Sequence, residues 1–458
     1  MDIIAAIATG HSPTAIGIIR VSGEGCFALC DQVFRAANGR PFPEQPSHKM
    51  VFGEMLDAES RVIDRGLAVR FPGPHSYTGE DSAEFHCHGS PVVLRELLDA
   101  LFAAGARQAK AGEFTQRAFL NGRLDLTQAE AVIDLIDAET AAAARNAAAQ
   151  LDGGLRRVLE PIQDSLLDIT SRFYAVVDYP DEDIEDVQPE QVAEALSSAG
   201  RQLTTLLATC QRGKVLKSGV RTAIVGRPNA GKSSLLNALA GYERAIVTDI
   251  PGTTRDTVEE SVLCGGVLLR LIDTAGIRDT EDVVEQKGVE RSRQAIKSAD
   301  LVLAVVDGSV PLTAEDLEVL RLAAECPRWI AVFSKCDLCD TKARSIGLVG
   351  SPAPAASVTL SSVTGEGLDK LEAAVAALFP AGDPKDAGSL LTDQRQEEAV
   401  RRARDAILRA QAALDDGLTP DAVLTDAEEA LDALGELTGR TAKEEIVSRI
   451  FSRFCVGK

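Results

Sequence analysis

The sequence lacks long apolar runs. No stretch reaches about 18 consecutive apolar residues, the length that a membrane-spanning helix needs. No Lys or Arg precedes Arg20, whereas a secretory signal begins with a positively charged segment. A spanning helix and a secretory signal are therefore both unsupported, and we expect a cytoplasmic protein that does not act in a membrane.

Positive charge is also scarce. The 458 residues include 48 Lys and Arg against 69 Asp and Glu, which gives a net charge of −21. Such a chain binds polyanions poorly in general, because release of counterions from nucleic acid requires clustered Lys and Arg. Any contact with RNA must therefore be local or supplied by a partner.

The nine cysteines form no disulfide or zinc framework. Their number is odd and their spacing irregular, which indicates reduced thiols. Cys336 and Cys339 form one CxxC pair, and His86-Cys87-His88 alternates sides if it lies on a strand. Neither set has a second ligand pair at zinc-like spacing, so the metal interpretation of both is weak.

Length and hydrophobic periodicity predict a multidomain protein. At about 150 residues per domain, the chain has room for about three domains. We predict an α+β N-terminal domain at residues 1–118, a helical domain at 119–217 and 381–458, and an α/β domain at 218–380 that is inserted between the two helical parts. In the N-terminal part the apolar pattern predicts strands at Ile16–Val21, Met50–Leu56 and Leu67–Phe71 and a helix at Val92–Phe102.

The first helical part contains one apolar stripe. Its members are spaced by three or four residues: Leu155, Val158, Leu159, Ile162, Leu166, Ile169 and Phe173. Pro161 lies inside this stripe and predicts a kink. The acidic stretch at 178–186 follows, and we interpret it as a solvated connection, with a docking site for a basic partner as the alternative. In the second part, Glu397–Leu414, Thr425–Leu437 and Thr441–Phe454 are predicted helices.

The α/β part contains five continuous apolar runs, as in strands that are buried on both faces of a parallel sheet. They are Thr222–Val225, Leu268–Ile272, Leu301–Val306, Trp329–Phe333 and Ser357–Leu360. Loops and helices alternate with them, which predicts a doubly wound domain.

A phosphate-binding loop follows the first of these strands. Residues 226–233 read GRPNAGKS and fit the GxxxxGK[ST] pattern between a strand and a helix. Loop amides and the helix N-terminus face phosphate oxygens, Lys232 reaches the β and γ phosphates, and Ser233 ligates magnesium. This pattern alone leaves ATP and GTP open.

Three further strand ends favour GTP. Residues 273–276, DTAG, offer Asp273 for magnesium through water and the Gly276 amide for the γ-phosphate. Residues 334–337 read SKCD, where the Asp337 carboxylate can accept two hydrogen bonds from guanine and none from adenine. Ser361 and Ser362 then lie near the base. The four elements in this order predict a GTPase domain.

These elements resemble those of the translation-factor-related GTPases, whose base motif usually begins with Asn where this chain has Ser334. Ile277 stands where small GTPases carry a water-orienting Gln, so hydrolysis needs another device. Asn229 together with residues 252–256, GTTRD, resembles the pattern of GTPases activated by potassium. That resemblance implies K⁺ ligands at Asn229, Thr248, Ile250 and Thr253 and a Mg²⁺ ligand at Thr254 beside Ser233. The alternative for Asn229 is a side chain that stabilises its own turn.

Several segments outside the GTPase domain resemble the bacterial and organellar tRNA-modification GTPase family called MnmE or TrmE. They are residues 17–23, 77–84, 112–130 and the C-terminal FCVGK at 454–458. The resemblance covers essentially the whole chain. It implies a homodimer that, with a flavin-dependent partner called MnmG or GidA, modifies carbon 5 of the wobble uridine of certain tRNAs, adding an aminomethyl or carboxymethylaminomethyl group. It also implies that tRNA is bound largely through the partner and that 5-formyl- or 5,10-methylene-tetrahydrofolate supplies one carbon.

The family pattern assigns site residues to this chain. It implies folate contacts at Arg20, Glu84, Arg123 and Lys458, where Arg123 replaces the more common Lys. It implies GTP contacts at Asn229, Ala230, Gly231, Lys232, Ser233, Ser234, Thr248, Asp249, Ile250, Pro251, Gly252, Thr253, Thr254, Asp273, Thr274, Ala275, Gly276, Ser334, Lys335, Asp337, Ser361 and Ser362. Without the family, Arg20 and Glu84 also fit a surface ion pair.

The resemblance implies two more catalytic residues besides Lys232. Cys455 is expected to act as a thiolate, favoured by nearby Arg449, Arg453 and Lys458, although a packing role is open. Glu285 is expected to orient the attacking water, although it also fits a solvated acid. Two other functions stay open at this point: a switch GTPase in ribosome assembly, and a dimeric scaffold whose GTPase controls partner docking.

Overall fold

A computed structural model describes residues 2–10, 12–178, 188–242, 260–272, 293–338, 353–380, 386–442 and 444–457. These residues group into two compact units, each assembled from separate parts of the chain. The first comprises Met1–Ile133, Gln150–Leu196 and Asp405–Lys458, and the second comprises Asp134–Ala149 and Ser197–Arg404. The acidic stretch predicted as a solvated connection lies outside the described residues from position 179 onward.

A seven-stranded sheet forms the N-terminal part of the first unit. Its strands are β1 (Ile4–Ile7), β2 (Thr14–Ser22), β3 (Phe34–Ala36), β4 (Val51–Leu56), β5 (Val62–Phe71), β6 (Ser82–Gly89) and β7 (Arg107–Gln108). Their order is β3-β4-β5-β6-β2-β1-β7, with antiparallel pairing everywhere except between β1 and β7. The short edge strands β3 and β7 limit pairing with other chains.

Two helices, α1 (Cys26–Val33) and α2 (Pro91–Ala103), cover one face of this sheet. Alternate strand residues point towards them, and the core includes Ile19, Phe85 and Leu97, all fully buried. The opposite face carries a row of residues that runs across four strands by register: Ile18, His86, Leu67 and Phe52. Phe52 and Leu67 are exposed, so the part of this face on β4 and β5 presents two large apolar side chains to solvent in the single chain.

Helices make up most of the remaining chain before and after the α/β part. They are α3 (Glu113–Leu120), α4 (Leu126–Ile136), α5 (Ala141–Leu151), α6 (Gly154–Asp178), α7 (Pro189–Leu207), α8 (Cys210–Ser218), and, after the α/β part, α12 (Gln394–Asp415), α13 (Pro420–Thr438) and α14 (Glu444–Phe451). Helix α6 continues through Pro161 and packs against α13. Its buried positions include Leu155, Leu159, Ile162 and Leu166, which confirms the predicted stripe.

The second unit contains a six-stranded sheet in the order β13-β12-β11-β8-β10-β9. Its strands are β8 (Val220–Val225), β9 (Glu260–Cys264), β10 (Val267–Ile272), β11 (Leu301–Asp307), β12 (Trp329–Ser334) and β13 (Ala356–Thr359). Its helices are α9 (Lys232–Tyr242), α10 (Ala314–Ala323) and α11 (Leu368–Leu378), and residues 293–298 are also helical. Five strands are parallel, and only the edge strand β9 runs antiparallel to its neighbour.

The predicted fold class is confirmed: an α+β N-terminal part, helices on both sides of the insertion, and a doubly wound α/β part. All five predicted strands of the parallel sheet are present. The C-terminal helix is shorter than the predicted 441–454, because the chain leaves the helix after Phe451 to pair Val456 with Ala111. No helix in the described ranges is long and apolar enough to cross a membrane. The described cysteines are all free, and the described residues contain no cluster that could hold a metal.

Candidate functional site

The phosphate-binding loop joins the centre of the parallel sheet to helix α9. Strand β8 lies between β10 and β11, so the loop emerges at the carboxyl edge where the strand order changes direction. The Lys232 ammonium donates to Gly226 O at 2.8 Å and to Arg227 O at 2.9 Å. Burial lowers the pKa of Lys232. Backbone carbonyls of the loop therefore bind the Lys232 ammonium. Ser233 and Ser234 lie in the first turn of α9.

Two loop residues have left-handed backbones. Asn229 has φ of 61° and Gly231 has φ of 100°, a region that glycine enters freely and asparagine tolerates. The Asn229 side chain is exposed and forms no hydrogen bond with any described residue. Its carbonyl accepts a hydrogen bond from Lys335 Nζ at 2.8 Å. The loop conformation is therefore fixed through backbone atoms, and the Asn229 amide is available to a ligand.

The base loop is tied directly to the phosphate loop. Ser334 is 1% exposed, and its Oγ donates towards Ala230 O at 2.5 Å and lies 3.1 Å from Val306 O. Lys335 Nζ also reaches the Asp307 carboxylate, at 2.7 Å. Burial raises the pKa of Asp307, but the hydrogen bond from Lys335 outweighs it and holds the pKa below its usual value. A charged Lys335 thus bridges the loop to the end of β11.

The predicted base-binding residues lie on two adjacent loops. Strands β12 and β13 are parallel neighbours, and Cys336 N donates to Leu360 O at 3.2 Å just beyond them. Asp337 is exposed in a single helical turn, Cys336–Leu338. The Ser361 hydroxyl accepts hydrogen bonds from the backbone amides of Val363 and Thr364. Ser362 Oγ is buried and has no partner among the described residues. Both loops therefore present polar groups at one end of the sheet.

A third set of predicted residues lies outside the described ranges. This set comprises Thr248, Asp249, Ile250, Pro251, Gly252, Thr253, Thr254, Asp273, Thr274, Ala275, Gly276, Glu285 and Lys458. Asp273 directly follows the last residue of β10 in the chain, the neighbour of β8.

A separate small cavity of about 100 Å³ lies on the N-terminal sheet and is lined by Arg20, Phe71, Tyr77, Ser82 and Glu84. The Arg20 and Glu84 side chains face each other across paired strands, with Arg20 Nε 2.9 Å from Glu84 Oε1.

Aromatic rings hold the Arg20 guanidinium in place. The Arg20 guanidinium lies 5.3 Å from the centre of the Tyr77 ring and 5.7 Å from that of Phe114, and both are cation–π distances. The predicted pair is therefore a positioned one and not a loose surface contact.

Arg123 approaches the loop that carries Tyr77. A Cβ on Gly79 would lie 3.2 Å from Arg123 Cγ, and the Asn121 side-chain amide donates to Thr78 O at 2.7 Å. Arg123 itself is exposed. The structure thus brings three of the predicted folate residues to one region of the N-terminal domain.

The C-terminal tail crosses the same region. Gly112 N donates to Cys455 O at 3.3 Å, and Val456 forms a β-bridge with Ala111. The chain then runs so close to β1 that a Cβ on Gly457 would lie 2.1 Å from Ile7 O. The described residues include one exposed cysteine, and it is Cys455. Its thiol is therefore not a packing group in the single chain. Gly112, the backbone partner of Cys455, lies two residues before Phe114 in the chain.

Sequence reasoning missed three neighbours of these sites. Asp307 is an acid placed directly after a buried apolar run, a signal that was available in the sequence. Phe114 was visible only as part of a motif, because its contact with Arg20 depends on how α3 packs. The buried His86 Nε2 lies 3.4 Å from Glu84 Oε2 with no hydrogen bond to a described residue, and strand alternation places both side chains on one face.

Comparison with known proteins gives a consistent result. Residues 3–123 match the family described as GTP-binding protein TrmE N-terminus, and residues 126–455 match the family described as MnmE helical domain. The chain is 44% identical over 460 residues to the tRNA modification GTPase MnmE of Symbiobacterium thermophilum, covering 100% of this chain and 99% of that protein. It is 44% identical over 464 residues to the protein of the same description from Roseiflexus sp., with the same coverage. The similarity therefore extends over the full length of both relatives.

Proposed function

Because the chain belongs to the MnmE family of tRNA modification GTPases and hydrolyses GTP in tRNA modification, we propose that it modifies carbon 5 of the wobble uridine of certain tRNAs. A flavin-dependent partner of the MnmG or GidA kind acts with it. The observation that carries this proposal is the convergence of two predicted sites on residues 112–114: Gly112 binds the Cys455 backbone, and Phe114 contacts Arg20. The same short segment therefore contacts both the residue with the exposed thiol and a residue that lines the ligand cavity.

The nucleotide site fits GTP with Mg²⁺. The loop places Lys232, Ser233 and the first turn of α9 at the sheet's ligand edge, and such a constellation binds phosphates and a magnesium ion. Asp337 supplies an exposed carboxylate for guanine. Mg²⁺ would be held by Ser233 and Thr254. In-line transfer to water would then be assisted by Glu285.

Potassium is the proposed activator. The Asn229 amide is exposed and forms no hydrogen bond with a described residue, so its oxygen can ligate a monovalent cation. The other ligands would be oxygens of Thr248, Ile250 and Thr253. A cation there neutralises charge that develops on the transferred phosphoryl group.

The N-terminal cavity fits part of a reduced folate. A Glu84 carboxylate can accept hydrogen bonds from the amino edge of a pterin, and the guanidinium groups of Arg20 and Arg123 suit carboxylates. Lys458 would complete the set. The folate would supply a one-carbon unit, and Cys455 is exposed beside this region to take part in the chemistry.

A homodimer is the proposed assembly. The sheet face opposite α1 and α2 exposes Ile16, Phe52 and Leu67, with 59%, 54% and 37% of their surface accessible. Phe52 and Leu67 are cross-strand neighbours, and exposed apolar side chains that lie together mark interaction sites. The proposal also includes pairing of two GTPase domains during hydrolysis. It further includes action on tRNA in the cytoplasm.

Calorimetric titration with 5-formyl-tetrahydrofolate tests the folate part of this proposal directly. We expect stoichiometric binding by the wild-type chain and loss of binding by Glu84→Gln, because the variant loses its negative charge. Glu59→Gln changes an exposed acid of the same domain, in a pair with Arg61, and serves as the matched control. Equal binding by all three proteins would remove the folate site from this cavity, and no binding by any would remove it from the chain.

A further inference from the structure

A second cavity of the first unit has a lining that shares no residue with the Arg20–Glu84 cavity. It has a volume of about 630 Å³ and lies among α3, the start of α4, α6, the end of α13 and α14. Sites for small molecules commonly have volumes of about 300–1,000 Å³. This cavity is therefore large enough for a ligand of nucleotide size.

Polar groups with unused hydrogen-bonding capacity line it. Gln163 is 5% exposed, yet its amide forms no hydrogen bond within the part of the chain that the structure describes. Arg440 also lines the cavity, is exposed, and has no ion pair with a described residue. By contrast, Arg156 and Glu160 neutralise each other at 3.2 Å. The unmatched groups thus include a cation and a buried amide, which call for an anion and for a donor–acceptor edge.

Asp125 adds an acceptor to the same wall. Its Oδ1 caps helix α4 by accepting from Thr127 Oγ1 at 2.6 Å and from Gln128 N at 2.8 Å. Its Oδ2 is buried without a partner among the described residues. A buried carboxylate oxygen of this kind is costly unless a donor reaches it. A ligand with an N–H group would relieve that cost.

The remaining wall is apolar and includes an aromatic ring. Phe119 lines the cavity beside Leu120 and Leu124, and its ring lies 6.2 Å from that of Phe451. Aromatic faces bind flat heterocycles, and unstacked bases of RNA loops are bound by stacking of this kind.

The cavity borders the region of the exposed thiol. Gly122 and Leu124 line it, while Arg123 between them packs its stem near Gly79 on the side of the Arg20–Glu84 cavity. Phe119 lies on α3, the helix that follows Gly112, where the Cys455 backbone is bound.

We propose that this cavity binds one extruded nucleotide of single-stranded RNA, with its base against Phe119 and Gln163 and its phosphate at Arg440. Enzymes that act on a base must take it out of the stack, and a uracil edge has one N–H between two carbonyls, which matches an amide and a carboxylate oxygen. That the nucleotide is the wobble uridine rests on the proposed function. This contact also supplies the local cation that a chain of net charge −21 needs for RNA.

Fluorescence anisotropy with labelled RNA stem-loops tests this proposal. One stem-loop carries uridine at the wobble position, and the other is abasic there. We expect the abasic loop to bind about tenfold more weakly, the size of one base contact. Gln163→Leu should weaken the uridine loop by a similar factor and leave the abasic loop unchanged. Arg440→Gln should weaken both loops and reduce the dependence of log K on log salt concentration by about 0.7.

Controls separate binding from folding. Arg321→Gln removes an exposed arginine of α10 and should leave both RNA affinities unchanged. Melting temperature and GTP turnover of Gln163→Leu and Arg440→Gln should match those of the wild type, since neither residue belongs to the nucleotide loop. Free uridine monophosphate in competition tells whether a lone nucleotide suffices or whether the loop is needed.

Several results would overturn the proposal. They are equal affinity for the two stem-loops, equal weakening of both loops by Gln163→Leu, or loss of folate binding in place of RNA binding by Arg440→Gln. RNA affinity that depends on Arg440 but not on the base would mean an electrostatic surface and no base pocket. The proposed function fails separately: if these binding results hold but no modified uridine forms, the wobble chemistry is refuted and the pocket stands.

Discussion

Ser334→Asn is expected to tighten GTP and GDP binding. Ser334 Oγ lies within hydrogen-bond distance of two backbone carbonyls, Ala230 O and Val306 O. A hydroxyl has one hydrogen and can donate to only one carbonyl at a time. An asparagine amide has two hydrogens and can donate to both, so it would fasten the phosphate loop to β11 as well as to the base loop.

The expected gain follows from that count. One additional buried hydrogen bond contributes about 1 kcal/mol net, which corresponds to about fivefold tighter binding if the gain is confined to the ligand-bound loop. Asn adds two heavy atoms to a site with 1% exposure, and overpacking costs about 1–3 kcal/mol where there is no room. Gly231 leaves space for the larger side chain, because it has no Cβ. A Cβ at this position would lie only 3.2 Å from Ser334 Oγ.

Titration with fluorescent GDP and GTP analogues measures this effect, together with the melting temperature of the nucleotide-free protein. Ser334→Ala is the matched opposite change: it leaves both carbonyls without the donor and should weaken binding. Unchanged or weaker binding by Ser334→Asn at an unchanged melting temperature would refute the reasoning. A lower melting temperature would show that Gly231 does not provide enough room, and the assignment of the packing would then be wrong.

Three further predictions concern other residues. Asp337→Asn should shift preference from guanine to xanthine nucleotides in competition binding, because an amide donates where the carboxylate accepted; retained guanine preference would contradict the base-site assignment. Asn229→Ala should abolish the difference in GTP turnover between matched potassium and sodium buffers while nucleotide affinity is kept, and a wild-type chain with equal rates in the two buffers would contradict potassium activation. Burial raises the pKa of Glu113, but hydrogen bonds led by that from Arg107 outweigh it and lower the pKa from 4.5 to about 2, so its stabilising contribution is present above about pH 4.5 and is lost as pH falls towards 2. Glu113→Gln should therefore lower the melting temperature at pH 7 and flatten its decline between pH 4.5 and 2, and an equally steep decline would contradict this.

Much of the fold follows from local sequence patterns. The five parallel strands are continuous apolar runs because both faces of their sheet are covered, and helix α6 shows a periodic stripe because one side packs on α13. The edge strand β9 was not predicted, since Glu260–Cys264 is short and its pairing depends on the adjacent turn. The C-terminal helix was predicted too long because Phe454 continues the apolar period although the backbone has already left the helix.

The sites were predictable where one segment contains the chemistry. The phosphate loop is contiguous, so its pattern predicts both the residues and the strand-loop-helix context. The convergence of Cys455, Gly112 and Phe114 joins segments more than 300 residues apart, which no local pattern can show. The cavity at Gln163 and Arg440 likewise could not be predicted from the sequence, because a single glutamine within a helix is typical of a surface position.

The central claim is tested most directly by reconstituting wobble modification. The full chain, its flavin-dependent partner, tRNA, GTP and a tetrahydrofolate with an isotopically labelled one-carbon unit are combined, and the tRNA is digested for mass spectrometry. With the wild-type chain we predict that the labelled carbon becomes bonded to carbon 5 of the wobble uridine. With Cys455→Ser we predict no such product, while GTP turnover, folate binding and melting temperature stay near wild type. Unlabelled tRNA with the wild-type chain, or full labelling with the serine variant, would contradict the account of one-carbon transfer assisted by the exposed thiol.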